Sequence, residues 1–203
     1  MSRLLLVRHA KTKPGHRRYW GHSQIGLGEE GIVQAKMLRD HLATEEIAAI
    51  YSSDLNRAHS TAEIVASVHA TEVVLCPELR ELDFGQIEGM TFEEVDRCCP
   101  EALRLWRGGD VDTAAPAGEN LRQLASRVGR LARRLQRHSP EETVLVVAHS
   151  GPLRVLLCTW LGIDLERLWQ IRLDPASVSL VETYPEGTIL CFLNNTSHLM
   201  ALG

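Results

Sequence analysis

The sequence predicts an α/β fold: a three-layer α/β/α sandwich around a mainly parallel sheet, closed by a C-terminal β-hairpin. Three observations predict it. The 203-residue chain is 44% hydrophobic, enough to bury the core of one such domain. Short apolar runs alternate with stretches of helical periodicity along most of its length, the pattern of a parallel sheet covered by helices. The last apolar pair, 176–182 and 188–194, flanks Tyr184-Pro185-Glu186-Gly187, whose proline and glycine suit a hairpin turn.

Taken in order, residues 3–7 form the first strand, with four aliphatic residues from Leu4 to Val7 that suit burial on both faces. Helical periodicity follows over about 29–43, a strand over 47–51, a helix over about 55–69 and a strand over 73–76. Residues 85–118 hold two short helical patterns and the polar stretch "GGDVDTAAPAG", which reads as an excursion over the sheet edge. A helix over 119–137 then places Leu121, Leu124, Val128, Leu131 and Leu135 on one face. A strand over 143–148 and a helix over 152–161 precede the hairpin. A single domain over 1–203 is the expectation.

Composition removes several function classes. The formal net charge of −4 gives no global reason to bind nucleic acid or an acidic membrane, so an anion site must be a local gathering of cations. The arginines of the 119–137 helix read as a solvated face. The five cysteines are odd in number and Cys98 and Cys99 are adjacent, which suggests neither a disulfide framework nor a zinc site and points to the cytoplasm. The apolar run after Ser2-Arg3 is too short for a signal-peptide core, and no run approaches membrane-spanning length. "GLGEEG" has the spacing of a dinucleotide loop, but no buried strand precedes it and Glu29-Glu30 would repel a pyrophosphate. The other histidines show no close ligand spacing, so no metal is expected. Oligomeric state is open, a homodimer included.

The chemically able residues fall at strand ends. Arg8 and His9 follow the first strand, Arg57 opens the helix after "IAAIYSS", Glu81 follows the strand ending at Cys76, and His149 ends "TVLVVAH". Ligands of open α/β sheets bind outside the carboxyl ends of the strands, so these groups should share one rim. Two guanidiniums match phosphate oxygens and stay charged, which makes a phosphoryl group the preferred ligand. In "AHSGPLR", Ser150 as a cap and Pro152 in the first turn would aim free backbone N–H groups at an anion beside His149.

These motifs carry a resemblance. "LVRHAKT" (6–12) resembles the RHG-type signature of the histidine phosphatase superfamily, in its phosphoglycerate mutase-like branch. "GLGEEGIVQA" (26–35), "YSSDLNRAHSTA" (51–62), "LRELDFGQIEG" (79–89), "PAGENLRQLASRV" (116–128) and "VVAHSGPLR" (146–154) extend it over nearly the whole chain. The resemblance implies His9 as the phosphorylated nucleophile, Glu81 as the proton donor, and Arg8, Arg57 and His149 as the phosphate pocket, with Thr12 and Ser150 beside it. It implies no cofactor and a small-molecule phosphate ester as partner. Glu78, Asp83 and Glu88 are the neighbouring carboxylates that could take the acid's role. Arg17, Arg18, Tyr19, Trp20, Gly21 and His22 fall where relatives contact the rest of the substrate, and "RYWGHS" resembles the α-ribazole phosphatases of cobalamin assembly. Ala10 and Gly15 depart from the usual glycine and asparagine, Ser150 replaces a frequent glycine, and Asn120 replaces a serine. Phosphomonoester hydrolysis is the first expectation. Mutase-type transfer and a noncatalytic phospho-ligand-binding protein are the rivals, the latter having no need of a nucleophile and an acid.

Overall fold

A computed structural model of the chain describes residues 2–13, 18–139 and 141–202; Gly15, His16 and Arg17 lie outside the described residues. The strands are β1 (Ser2–Arg8), β2 (Ile47–Ser52), β3 (Val73–Leu75), β4 (Thr143–Ala148), β5 (Val178–Tyr184) and β6 (Gly187–Asn195). The helices are α1 (Glu29–Leu42), α2 (Asn56–Ala66), α3 (Phe92–Cys98), α4 (Pro100–Arg107), α5 (Leu121–Leu135) and α6 (Ser150–Leu161). They build one six-stranded sheet in the order β3-β2-β4-β1-β5-β6. Strands β1 to β4 pair in parallel, β5 runs antiparallel to β1, and β5-β6 is the expected hairpin.

Side-chain alternation explains the layers. Leu4 and Leu6 of β1, with Val144 and Val146 of β4, pack against Leu124, Val128 and Leu131 of α5 and Leu153 and Leu157 of α6. Leu5, Val7, Leu145 and Val147 point the other way, onto Leu38 of α1 and Ala58, Ala62 and Val65 of α2. Each fully buried leucine contributes about 1.5–3 kcal/mol, and a strand buried on both faces needs the continuous apolar run seen in β1.

Element ends differ from the sequence reading where long-range partners decide. Helix α5 begins at Leu121 because Asn120 caps it: its side chain accepts from Gln123 N at 2.8 Å, and Gln123 Oε1 accepts from Asn120 N at 2.9 Å. Helix α6 begins at Ser150, two residues earlier than its periodicity suggests, with His149 as the extended N-cap residue. Ser150 is therefore not the cap. The excursion has its own small core of Ile87, Val95, Leu103, Trp106 and Ala115, against which Tyr19 and Phe84 pack. A capping box of Thr91 and Glu94 starts α3.

Candidate active site

Three adjacent strand ends assemble the site. His9 N donates to Ala148 O at 2.8 Å and Ser53 N donates to Val147 O at 3.0 Å, so the residues that leave β1, β2 and β4 stay laced together beyond the sheet. The His9 and His149 rings stand 5.0 Å apart, tilted by 57°. A cavity of about 180 Å³ opens here, lined by Arg8, His9, Lys11, Thr12, Arg18, Tyr19, Trp20, Arg57, Glu81, Phe84, Ser150 and Pro175.

His9 is 7% exposed. Its Nδ1 lies 2.8 Å from Ala10 O, and a carbonyl only accepts, so the proton sits on Nδ1 and Nε2 carries the free lone pair. Burial pushes its pKa well below the ordinary histidine value, and Arg8 and Arg57 push in the same direction. The ring is neutral and held in one tautomer. Ala10 N in turn donates to Thr61 Oγ1 at 3.1 Å, and that hydroxyl donates to Arg57 O at 2.7 Å, which ties the loop after β1 to α2. The methyl of Ala10 rests in a small cluster with Leu27, Ala35 and Ala176, so the departure from glycine is accommodated by packing.

His149 is fully buried, and its Nε2 lies 2.9 Å from Ser53 Oγ. Ser53 Oγ also accepts from Leu55 N at 3.3 Å, which leaves its own proton to give to Nε2. That donation would place the imidazole proton on Nδ1, a buried atom with no partner; the Ser53 hydroxyl, whose second lone pair can accept from Nε2, fits the other tautomer as well. Burial, then Arg57, His9 and Arg8, lower its pKa well below the usual value, so His149 can donate a hydrogen bond without carrying charge.

Arg8 donates from Nη1 to Leu173 O at 2.6 Å, while its buried Nε has no partner. Arg57, 1% exposed, donates to the carbonyls of Ser23, Trp20 and Gly21 at 3.0, 3.2 and 2.7 Å. Burial lowers both guanidinium pKa values and Glu81 opposes the shift, but a guanidinium remains a cation at any working pH. Arg57 thus has two tasks: it lines the cavity and it fixes the loop that carries Tyr19 and Trp20.

Glu81, 8% exposed, faces the first turn of α6. Its Oε1 accepts from Gly151 N and Leu82 N, each at 2.9 Å, and its Oε2 accepts from Ser150 Oγ at 3.1 Å. The N–H groups expected to face a bound anion are therefore directed in part at this carboxylate. Among the four carboxylates of "ELRELDFGQIEG", only Glu81 lines the cavity. Asp83 accepts from Gly85 N at 2.9 Å, and Glu88 accepts from Gly21 N and Ser23 N at 2.9 and 2.8 Å.

Tyr19, Trp20 and Thr12 line the cavity with Arg18 and Lys11; Gly21 and His22 do not. His22 Nε2 lies 3.0 Å from Glu81 O, behind the acid, and Gly21 is held between Glu88 and Arg57. Sequence reasoning missed Ser53, Thr61, the holding role of Glu88, and Arg127, which donates to the carbonyls of Glu78, Arg80 and Glu81. The only local signal for Ser53 was its place just beyond a strand end.

A doubly covered, mostly parallel sheet brings two histidines, two arginines and a carboxylate to its strand ends: Arg8, His9, Arg57 and Glu81 line the cavity, while His149, expected in the phosphate pocket, does not line it and stands fully buried beside His9. The chain belongs to the histidine phosphatase superfamily: the profile of branch 1 matches residues 4–196. It is 34% identical to phosphoserine phosphatase 1 of Hydrogenobacter thermophilus, over 98% of this chain and 95% of that protein. It is 31% identical to the adenosylcobalamin/alpha-ribazole phosphatase of Escherichia coli, over 95% of this chain and 96% of that one. Its fold is similar to the crystal structure of the alpha-ribazole phosphatase from Shigella flexneri, with a TM-score of 0.87 and 29% identity over 95% of this chain and 96% of that one. No helix among the described residues is long and apolar enough to cross a membrane.

Proposed function

We propose that this protein hydrolyses a small-molecule phosphate monoester through a phosphohistidine on His9, as a metal-independent cytoplasmic enzyme. The observation that carries this reading is the neutral His9 ring. Its Nδ1 is pinned to Ala10 O, and it shares one cavity with Arg8, Arg57 and Glu81. In the first step His9 Nε2 forms a bond to phosphorus as the ester P–O bond breaks, and Glu81 gives its proton to the departing alkoxide. In the second, water attacks phosphorus and gives a proton to Glu81, the P–N bond breaks, and inorganic phosphate leaves with His9 neutral again. Arg8, Arg57 and the Nδ1–H of His149 stabilise the charge spread over the equatorial oxygens, each such donor contributing about 3–4 kcal/mol. Thr12 and Ser150 border the phosphate, and Tyr19 and Trp20 meet the alcohol.

The cavity of about 180 Å³ supports a compact alcohol, since sites for drug-sized ligands span about 300–1,000 Å³. Phosphoserine enters as a candidate through the Hydrogenobacter relative. α-Ribazole 5′-phosphate enters through the Escherichia coli one, with its base lying beyond Tyr19 and Trp20. A panel of phosphoserine, α-ribazole 5′-phosphate, sugar phosphates and phosphoglycerates, read by phosphate release, ranks them. Return of the phosphoryl group to a bound phosphoglycerate in place of release would establish the mutase. Hydrolysis of no member would revive the noncatalytic phospho-ligand-binding reading. In parallel, rapid quench with radiolabelled substrate should trap an acid-labile, base-stable phosphoenzyme that is absent from His9→Ala. Persistent labelling of that variant would remove His9 from the chemistry.

A further inference from the structure

Arg127 lies on α5, a helix that supplies no residue lining the cavity, yet its guanidinium makes three donations to the segment that carries Glu81 and two to Glu119, which is itself bonded to that segment. Its Nη1 donates to Glu78 O and Arg80 O, both at 2.7 Å. Its Nη2 donates to Glu81 O at 2.7 Å and to Glu119 Oε2 at 2.8 Å, and its Nε donates to Glu119 Oε1 at 2.8 Å. Five donors meet five acceptors, the full capacity of a guanidinium. The ion pair is 14% exposed on each side. Glu119 reaches the far end of the same segment: its N donates to Asp83 O at 2.9 Å, and its Oε2 accepts from Asp83 N at 3.4 Å.

This stretch is a short turn, Pro77–Leu79, followed by irregular backbone, so its carbonyls have no ladder to satisfy them. Arg127 takes three consecutive-region carbonyls at once, and His22 Nε2 shares Glu81 O from the other side. The backbone of Glu81 is therefore fixed to the rigid axis of α5, while its carboxyl tip is fixed to the first turn of α6 by Gly151 N and Ser150 Oγ. α5 and α6 pack against each other through the core, so both ends of the acid are referenced to one rigid pair of helices.

We propose that Arg127, paired with Glu119, is a positioning residue that sets where Glu81 delivers and collects its proton. Arg127 does not touch phosphate: its donors are already committed. The proposal rests on Glu81 being the acid of the proposed reaction. Misplacing such a group by about 1 Å costs about 100-fold in rate, and the loss belongs only to steps that need the proton.

The test separates leaving groups. p-Nitrophenolate departs without protonation and the serine alkoxide does not, and kcat/KM covers the steps up to phosphoenzyme formation. With Arg127→Met, kcat/KM for phosphoserine or another active alkyl phosphate should fall about 30–100-fold, while that for p-nitrophenyl phosphate stays within about threefold and inhibition by vanadate is unchanged. Arg127→Lys, which folds more readily and keeps the charge but loses the planar fork, should show the same split at smaller size, as should Glu119→Gln. Adding Arg127→Lys to Glu81→Gln should lower alkyl phosphate turnover no further. Equal losses on both substrates, or full additivity with Glu81→Gln, would overturn the positioning role. If Glu81→Gln itself shows no leaving-group split, the acid has been misassigned and the proposed mechanism fails first, whatever Arg127 does.

Discussion

Gly151 shows how tightly one residue can be specified by the acid beside it. A Cβ at this position would sit 2.2 Å from Glu81 Oε1 and 3.3 Å from Leu124 Cδ2. The helix backbone there cannot readily retreat, because β4 and the first turn of α6 at Gly151, Pro152 and Leu153 are buried, so the group that yields is the carboxylate. Gly151→Ala should therefore move Glu81 and leave the fold standing, since alanine regains about 1 kcal/mol of helix propensity over glycine. Expected are a loss of about 100-fold in kcat/KM for alkyl phosphates and a thermal midpoint within a few degrees of the parent. Unchanged kinetics in a correctly folded variant would mean that Glu81 does not need its contact with Gly151 N. His149 makes the complementary point. Full burial, with Arg57, His9, Arg8 and Arg127 nearby, keeps its imidazole neutral, so any hydrogen bond it gives to phosphate in the proposed reaction comes from an uncharged ring that Ser53 orients.

The stretch carrying Tyr19 and Trp20 is held by Arg57, by backbone bonds between Tyr19 and residues 89 and 90, and by the close seat of Gly21. Gly21 is pressed against the Glu81 segment, where a Cβ would meet Leu82 O at 2.4 Å and Glu88 Oε2 at 2.8 Å. A backbone oxygen cannot turn aside, so Gly21→Ala must push the loop outward. That shift breaks the donation from Gly21 N to Glu88 and from Arg57 to Gly21 O. The expected stability loss is about 1–3 kcal/mol in urea unfolding, the usual cost of overpacking. KM should rise as Tyr19 and Trp20 leave the cavity wall, and a KM equal to the parent's would detach this loop from substrate binding. The elements themselves were largely legible in the sequence. The run Leu4–Val7 ending in Arg8-His9 is readable because a doubly buried strand and a reactive pair are both local patterns. Ser150 was misread as a cap because cap preference is local, whereas the partner that claims Ser150 and Gly151 is Glu81, 69 and 70 residues away. Ser53, 96 residues from His149, and Arg127, more than 40 from each carbonyl it holds, were invisible for the same reason. A polar side chain announces its chemistry in sequence, but its partner is set by topology.

For the whole molecule, the cost of burying histidines beside arginines should appear as a pH dependence of stability. His9 and His149 are pushed well below the ordinary value, and His69 and His198 are lowered as well, burial being the first cause in each. In the unfolded chain these rings titrate near about 6.5. As pH falls through that value the unfolded state takes up protons that the folded state refuses, so it binds more protons and unfolding becomes easier. Stability is therefore fully present above pH about 6.5 and declines below it, by up to about 1.4 kcal/mol per pH unit for each fully buried ring. Asp54 and Asp174, whose pKa values are lowered, act in the same direction but only nearer pH about 4, so the interval from pH 6.5 to 5 reports the histidines. Urea unfolding at pH 7, 6 and 5 should show this decline. His9→Asn should make it shallower by about one proton's worth of slope, because one of the two deepest rings no longer titrates. Inorganic phosphate, bound only by the folded state, should raise stability at each pH. A flat profile from pH 7 to 5 would mean that these rings accept protons freely in the folded protein. The neutral nucleophile on which the phosphohistidine mechanism depends would then be absent over the lower half of that range.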